Sequence, residues 1–250
     1  MIPIPAQVHA AAAEHPYPLL FATVSGAHLY GFASEDSDWD LRGVHILPAK
    51  QVVGLLPLEE TIEVAHNDEI ELDLVTHDVR KFFTLLLRPN GYVLEQLLSP
   101  LIVHTTQEHD ELKDLVPALL TKHHAHHYIG FANNQWDMFR KETPQRVKPL
   151  LYTFRVLLTG IHLMRAHRIE ANLDVLNETY RLPFIPDLVA RKIGGAEKET
   201  LAPGEGEAFE QEFLTLRERL IEEAAQTTLP TETFARPALN DLLVRIRLNP

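Results

Sequence analysis

The chain reads as an α+β protein, with a small mixed β-sheet in its first half and helices in its second. Two patterns predict this. Short apolar or alternating runs bounded by turn residues crowd the stretch up to about residue 108. From about Leu112 onwards the strand signals vanish and apolar residues recur at helical spacing. The expected domains are therefore 1–108 and 109–250.

Taken in order, Ala6 to Glu14 is alanine-rich and predicts a short opening helix. Leu19 to Val24 is an apolar run that ends at Ser25-Gly26, a strand entering a turn. Tyr30 to Ser37 reads as a turn or short helical segment, and Asp38 to Leu47 as a second strand. Glu60 to Ala65 and Glu69 to Val75 alternate polar and apolar residues around His66-Asn67-Asp68, which predicts a hairpin. Thr76 is the expected cap of a helix carrying Val79, Phe82, Phe83, Leu86 and Leu87 on one face. Asn90-Gly91 breaks it before another helical piece at Tyr92 to Leu98. Helices are expected over 111–140, 147–168, 207–226 and 233–247, with an exposed loop from Gly194 to Gly206.

Composition narrows the functional classes. A net charge of −12, from 23 basic and 35 acidic residues, argues against a surface built as a whole to embrace nucleic acid. A local basic groove stays compatible with that balance, with a weak and salt-sensitive grip. Zero cysteines exclude disulfides and thiolate metal sites, and a cytoplasmic location is expected. No apolar run reaches membrane-spanning length, and Met1-Ile2-Pro3-Ile4-Pro5 lacks the basic start of a leader. Seventeen prolines beside eleven glycines imply stiffened loops.

The run from Ser25 to Gly43 carries the chemistry. Within it, Ser37-Asp38-Trp39-Asp40-Leu41-Arg42-Gly43 spaces two aspartates one residue apart. On a strand, side chains at i and i+2 share a face. Two adjacent carboxylates repel unless a cation neutralises them, and a hard divalent ion suits that need. Glu71 and Asp73 form a second such pair, with Leu72 and Leu74 turned to the opposite face. A neighbouring strand bearing Asp73 would complete a three-carboxylate cluster able to hold two metal ions. A solvated acidic sheet edge is the plain alternative.

These motifs resemble the polymerase-beta-type minimal nucleotidyltransferase superfamily. The carrying residues are Ser25-Gly26-Ala27, Tyr30-Gly31, the Ser37 to Gly43 run, Glu71-Leu72-Asp73-Leu74 and His77-Asp78-Val79-Arg80-Lys81-Phe82. Within that superfamily the sequence is most similar to RNA-repair polymerases associated with RNA ligases. The resemblance implies that residues 1–108 are a palm-like nucleotidyltransferase domain, followed by a helical domain over 109–250. It implies that Asp38, Asp40 and Asp73 are catalytic and bind Mg²⁺ or Mn²⁺, with Glu71 the competing third carboxylate. Ser25, Gly26, Ala27, His28 and Arg42 are the implied nucleotide-binding residues of the first half. The family carries Gly-Ser at this turn, where the present chain has Gly26-Ala27.

In the helical half, Lys148, Tyr152 and Arg155 follow i, i+4, i+7 spacing and share one helix face. The similar family clamps the triphosphate from a corresponding helix, which adds these three to the expected nucleotide contacts; a solvated basic stripe is the alternative. His123, His124, His126 and His127 read as a polar helix face rather than a zinc site. Tyr128, Trp136 and Phe139 read as core.

The expected activity is template-independent transfer of NMPs from NTPs to an RNA 3′ end with release of pyrophosphate. The expected partners are an NTP, an RNA 3′ end and an RNA ligase pathway, with no membrane. Two other readings stand beside it. One is AMP transfer to a protein or small molecule, which the acidic charge suits. The other is a degenerate nucleotide-binding module, favoured by Ala27.

Overall fold

β1 (Leu19–Val24) is buried along its whole length, and the rest of the sheet is laid out around it. The computed structural model describes residues 3–67, 70–195 and 199–248. Its sheet has the order β3-β4-β2-β1-β5, with β2 at Trp39–His45, β3 at Thr61–Asn67, β4 at Glu71–Asp78 and β5 at Ile102–Thr105. β1 pairs antiparallel with both β2 and β5, and β3 pairs antiparallel with β4. β2 and β4 run parallel, so the sheet is mixed and the protein α+β, as the sequence predicts.

Alternation along β2 and β4 sorts their side chains between two faces. Trp39, Leu41, Leu72 and Leu74 join Val8 and Ala11 of α1 (Ala6–Ala13) in one core cluster. On the other face Phe21 meets Phe82 edge-on at 5.4 Å and stacks on His109 at 4.3 Å. Phe82 lies on α4 (Val79–Leu86) and His109 on α6 (Gln107–Asp114), with α5 (Gly91–Leu98) between them in the chain. A short α2 (Gly26–Tyr30) follows β1, and α3 (Ala49–Val52) follows β2.

Several local expectations change. β4 continues to Asp78, so Asp78 rather than Thr76 caps α4, accepting from the Arg80 amide at 3.0 Å. Thr76 stays in the strand, where its hydroxyl meets His45 Nδ1 at 2.9 Å and His15 Nε2 at 3.0 Å. The hairpin forms as expected, while Asp68 of its anticipated turn lies outside the described residues. The helix expected over 111–140 is broken into α6, α7 (Val116–Leu119) and α8 (His124–Lys141). Pro117 sits at the start of α7, because a proline lacks the amide that a continuing helix needs.

The remaining helices are α9 (Val147–Ala166), α10 (Leu173–Tyr180), α11 (Ile185–Gly194), α12 (Glu210–Gln226) and α13 (Arg236–Leu248). A 3-10 turn at Glu205–Phe209 leads into α12. Together α10 and α11 occupy a stretch that the sequence pattern leaves unassigned, and part of the expected loop from Gly194 falls outside the described residues.

The described residues within Met1–Leu29, Asp38–Leu120 and Glu232–Pro250 pack as one unit, and those within Tyr30–Ser37 and Thr121–Thr231 as another. Residues 109–120 and 232–248 thus pack with the sheet. In the second unit α9 is buried nearly all round, with α8, α10, α11 and α12 against it. Gly160 marks the tightest approach there: a Cβ would fall 2.8 Å from Leu220 and 2.9 Å from Tyr128. Tyr128, Trp136 and Phe139 are core residues, as their spacing predicts. Among the described residues, no helix is long and apolar enough to cross a membrane.

Candidate active site

The parallel register places Asp40 of β2 directly opposite Asp73 of β4. Both lie on the sheet face turned away from the Trp39–Leu74 core, so neither carboxylate is forced into apolar surroundings. Their side chains are 28% and 49% exposed. Glu71 faces Asn67 across the β3–β4 pair, so the register makes Asp73 the partner of Asp40.

Arg42, two residues beyond Asp40, lies on the same face. Its Nη2 donates to Asp40 Oδ1 at 2.6 Å and to Asp73 Oδ2 at 2.9 Å, one nitrogen bridging the two acids. Nη1 donates to the Asp73 carbonyl at 2.6 Å and the Leu41 carbonyl at 3.2 Å, and Nε to the Tyr92 hydroxyl at 3.1 Å. Burial pulls this guanidinium down, but the Tyr92 phenol and the Asp40 and Asp73 carboxylates outweigh it and leave the pKa above its ordinary value. Tyr92 escapes sequence reasoning as a site residue. Asn90-Gly91 announces its helix, but the reach of Tyr92 to Arg42 is a tertiary fact.

The glycine turn closes on the same aspartate. Gly26 has φ +63, a left-handed conformation that glycine adopts without Cβ strain. A Cβ there would lie 1.8 Å from Asp40 Oδ2, so the absent side chain is what admits the carboxylate. The Ser25 amide donates to the Asp40 carbonyl at 2.8 Å. Ser25 Oγ is fully buried and meets no hydrogen-bond partner among the described residues. Ala27 is buried in the turn, and the His28 ring stacks on Trp39 at 3.8 Å.

Asp38 immediately precedes the first residue of β2 and is exposed. The register therefore sets Asp40 against Asp73, and Asp38 lies just ahead of the strand. Among the described residues, no three histidine or carboxylate side chains gather closely enough to hold a metal. The residues around Asp40 nevertheless fit a hard divalent ion. They offer carboxylate oxygens, an orphaned buried hydroxyl, a glycine whose missing Cβ makes room for the Asp40 carboxylate, and a cation already bridging the acids.

In the helical unit, Lys148 and Tyr152 are half-buried on α9, with Lys148 Nζ 6.0 Å from the Tyr152 ring centre. Arg155 is 2% exposed, its guanidinium carbon 3.8 Å over the Tyr30 ring. Tyr152 packs edge-on against Tyr30 at 5.5 Å and Phe32 at 5.4 Å. The buried Lys192 Nζ donates to Ser34 Oγ at 2.5 Å. The segment that follows the glycine turn is thus held by cation–π, aromatic and hydrogen-bond contacts. Of the histidine run, His124 is buried at the start of α8, its Nδ1 accepting from the Thr121 amide at 3.2 Å.

Comparison with known proteins places the chain in a family. A family described as the RNA repair pathway DNA polymerase beta family matches residues 2–245. An uncharacterised protein of Methanocaldococcus jannaschii is 32% identical over 143 residues, 57% of this chain and 58% of that protein. The uncharacterised protein YcgL of Bacillus subtilis (strain 168) is 26% identical over 144 residues, 56% of this chain and 54% of that protein. The matched segment spans little more than half the length of these curated relatives. A solved nucleotidyltransferase-like protein from Exiguobacterium sibiricum 255-15 aligns over 88% of this chain and 73% of its own, at 12% identity and a TM-score of 0.32. On the extent of the family match, the chain belongs to the RNA repair pathway DNA polymerase beta family.

Proposed function

We propose that this protein transfers an NMP from an NTP to an RNA 3′ end without a template. The observation that carries the reading is the pairing of Asp40 with Asp73 against the Cβ-free face of Gly26. The family supports the RNA-repair setting, and an RNA ligase pathway is the partner proposed from the sequence resemblance. In the reaction the RNA 3′ oxygen bonds to the α-phosphorus, the α–β anhydride breaks, and pyrophosphate leaves.

Asp38, Asp40 and Asp73 are the proposed holders of Mg²⁺ or Mn²⁺. Bound there, the ion supplies Lewis-acid stabilisation of the phosphoryl oxygens and lowers the pKa of the attacking hydroxyl. Asp73, half exposed, takes the hydroxyl proton. Gly26 lets backbone approach the triphosphate, and Ser25 Oγ gains its missing partner from a phosphate oxygen, in the place of the hydroxyl that Ala27 lacks. His28 braces Trp39, and Arg42 orients the two acids. Lys148 and Tyr152 serve as phosphate contacts, while the buried Arg155 acts through Tyr30 by holding it in place. The absence of cysteine accords with a cytoplasmic setting.

The test is incubation with α-labelled ATP, Mn²⁺ or Mg²⁺, and a tagged RNA oligomer. A ladder of extended RNA that Asp40→Asn removes supports the proposal. Label on a protein or small acceptor and none on RNA redirects it to AMP transfer. Nucleotide binding with no pyrophosphate release points to a module without turnover.

A further inference from the structure

From the bridge across Asp40 and Asp73 we infer that Arg42 is a built-in cationic competitor at the carboxylate pair, a latch that divalent cations must displace. The inference rests on the metal-binding reading of this pair. Arg42 Nη2 occupies one oxygen of each acid, Asp40 Oδ1 and Asp73 Oδ2. The other oxygen of Asp40 lies against Gly26, where even a methyl carbon would not fit. Asp40 is therefore engaged on both sides by the protein itself.

A guanidinium carries only donors and does not lose its proton in a protein. Arg42 can leave the acids only by swinging away, never by neutralising. Its hold is reinforced at three further points, the carbonyls of Asp73 and Leu41 and the hydroxyl of Tyr92. Only 9% of the residue is exposed, so water screens it little. With this cation in place the two acids lose much of their mutual repulsion, and with it the need for a metal. Arg42 thus keeps the pair intact at rest and sets a threshold that a cation must exceed. Tyr92 sets the strength of the latch, because its hydroxyl anchors Nε from α5.

The experiment is titration of Mn²⁺ without nucleotide, followed by electron paramagnetic resonance of the free ion. Wild type, Arg42→Gln, Tyr92→Phe and Asp40→Asn are compared, with a thermal melt of each. Wild type should bind Mn²⁺ in a manner that Asp40→Asn abolishes. Removing the competing charge should tighten binding about tenfold in Arg42→Gln, a conservative figure for one unit charge at contact distance near a surface. Tyr92→Phe loosens Arg42 by one of several hydrogen bonds and should tighten binding about threefold, the low end for a single hydrogen bond. It also decides the matter if Arg42→Gln fails to fold, since Tyr92 is partly exposed and the change is isosteric. Equal or weaker binding in the folded variants, beside Asp40-dependent binding in wild type, overturns the latch and leaves the metal reading standing. No Asp40-dependent binding in wild type overturns both.

Discussion

Replacing Gly26 by alanine tests the glycine turn with a single carbon. The added Cβ would stand 1.8 Å from Asp40 Oδ2 and 2.8 Å from its carboxyl carbon, so one of the two must move. The backbone does not relax freely, because φ is +63 and an L-residue there costs about 1–2 kcal/mol. Moving the carboxylate strains its bond to Arg42 Nη2, a charge-assisted contact worth about 1.5–3 kcal/mol. The two costs are alternatives in part, which sets the expected loss at about 3 kcal/mol, or roughly 6–12 °C in Tm. A carboxylate displaced by about 1 Å should lower turnover about a hundredfold. The assays are a circular-dichroism melt and NTP turnover on an RNA oligomer. A variant that melts with wild type and turns over within about threefold of it refutes the claim that Gly26 exists to admit Asp40.

Other consequences are open to measurement. Asp78→Ala removes the cap of α4 and leaves Arg247 without the buried acid that it contacts at 2.6 Å; a loss of about 3–5 kcal/mol is expected by denaturant titration. Burial, then neighbouring His15, pushes His45 down to about 4, and burial does the same to His124, against 6.5 when unfolded. The unfolded chain then binds more protons between pH 6.5 and 4, so stability is full above 6.5 and falls as pH drops through that window, by up to about 3 kcal/mol per histidine. His45→Gln should flatten the slope of stability between pH 6.5 and 4; an unchanged slope counts against the assignment. Ala27→Ser places a hydroxyl in the turn and should lower the KM for NTP about tenfold, by the worth of one hydrogen bond to a charged group. An unchanged KM means that Ser25 already fills that role.

Much of the fold was legible because burial imposes simple periods. Leu19–Val24 reads as a strand since every side chain meets apolar surroundings, and Val79–Leu86 reads as a helix since one face alone does. β5 was missed because an edge strand of four largely exposed residues carries no alternation. α10 and α11 were missed because short helices between turn residues give too few periods to count. At the site, the sequence put Asp40 and Asp73 on strands with the correct faces out. Their meeting depends on a direct parallel pairing of β2 with β4, with β3 coming between them only along the chain, which no local pattern encodes. Arg42, expected among the nucleotide contacts, bridges the two acids, a placement that only the pairing of β2 with β4 creates. Arg155 shows the limit of helical spacing: sharing a face with Lys148 says nothing of how deep that face lies.

The central claim is that Asp40 and Asp73 form the carboxylate pair of a nucleotidyltransferase, and the register makes it separable from its neighbour Glu71. Label transfer from α-labelled ATP to an RNA oligomer with Mn²⁺ should be compared among wild type, Asp40→Asn, Asp73→Asn and Glu71→Gln. Each aspartate variant should lose about a thousandfold or more in rate, the scale of several kcal/mol of transition-state charge stabilisation, while Glu71→Gln stays within about threefold of wild type. Retained transfer in Asp73→Asn, or its loss in Glu71→Gln alone, would contradict the account.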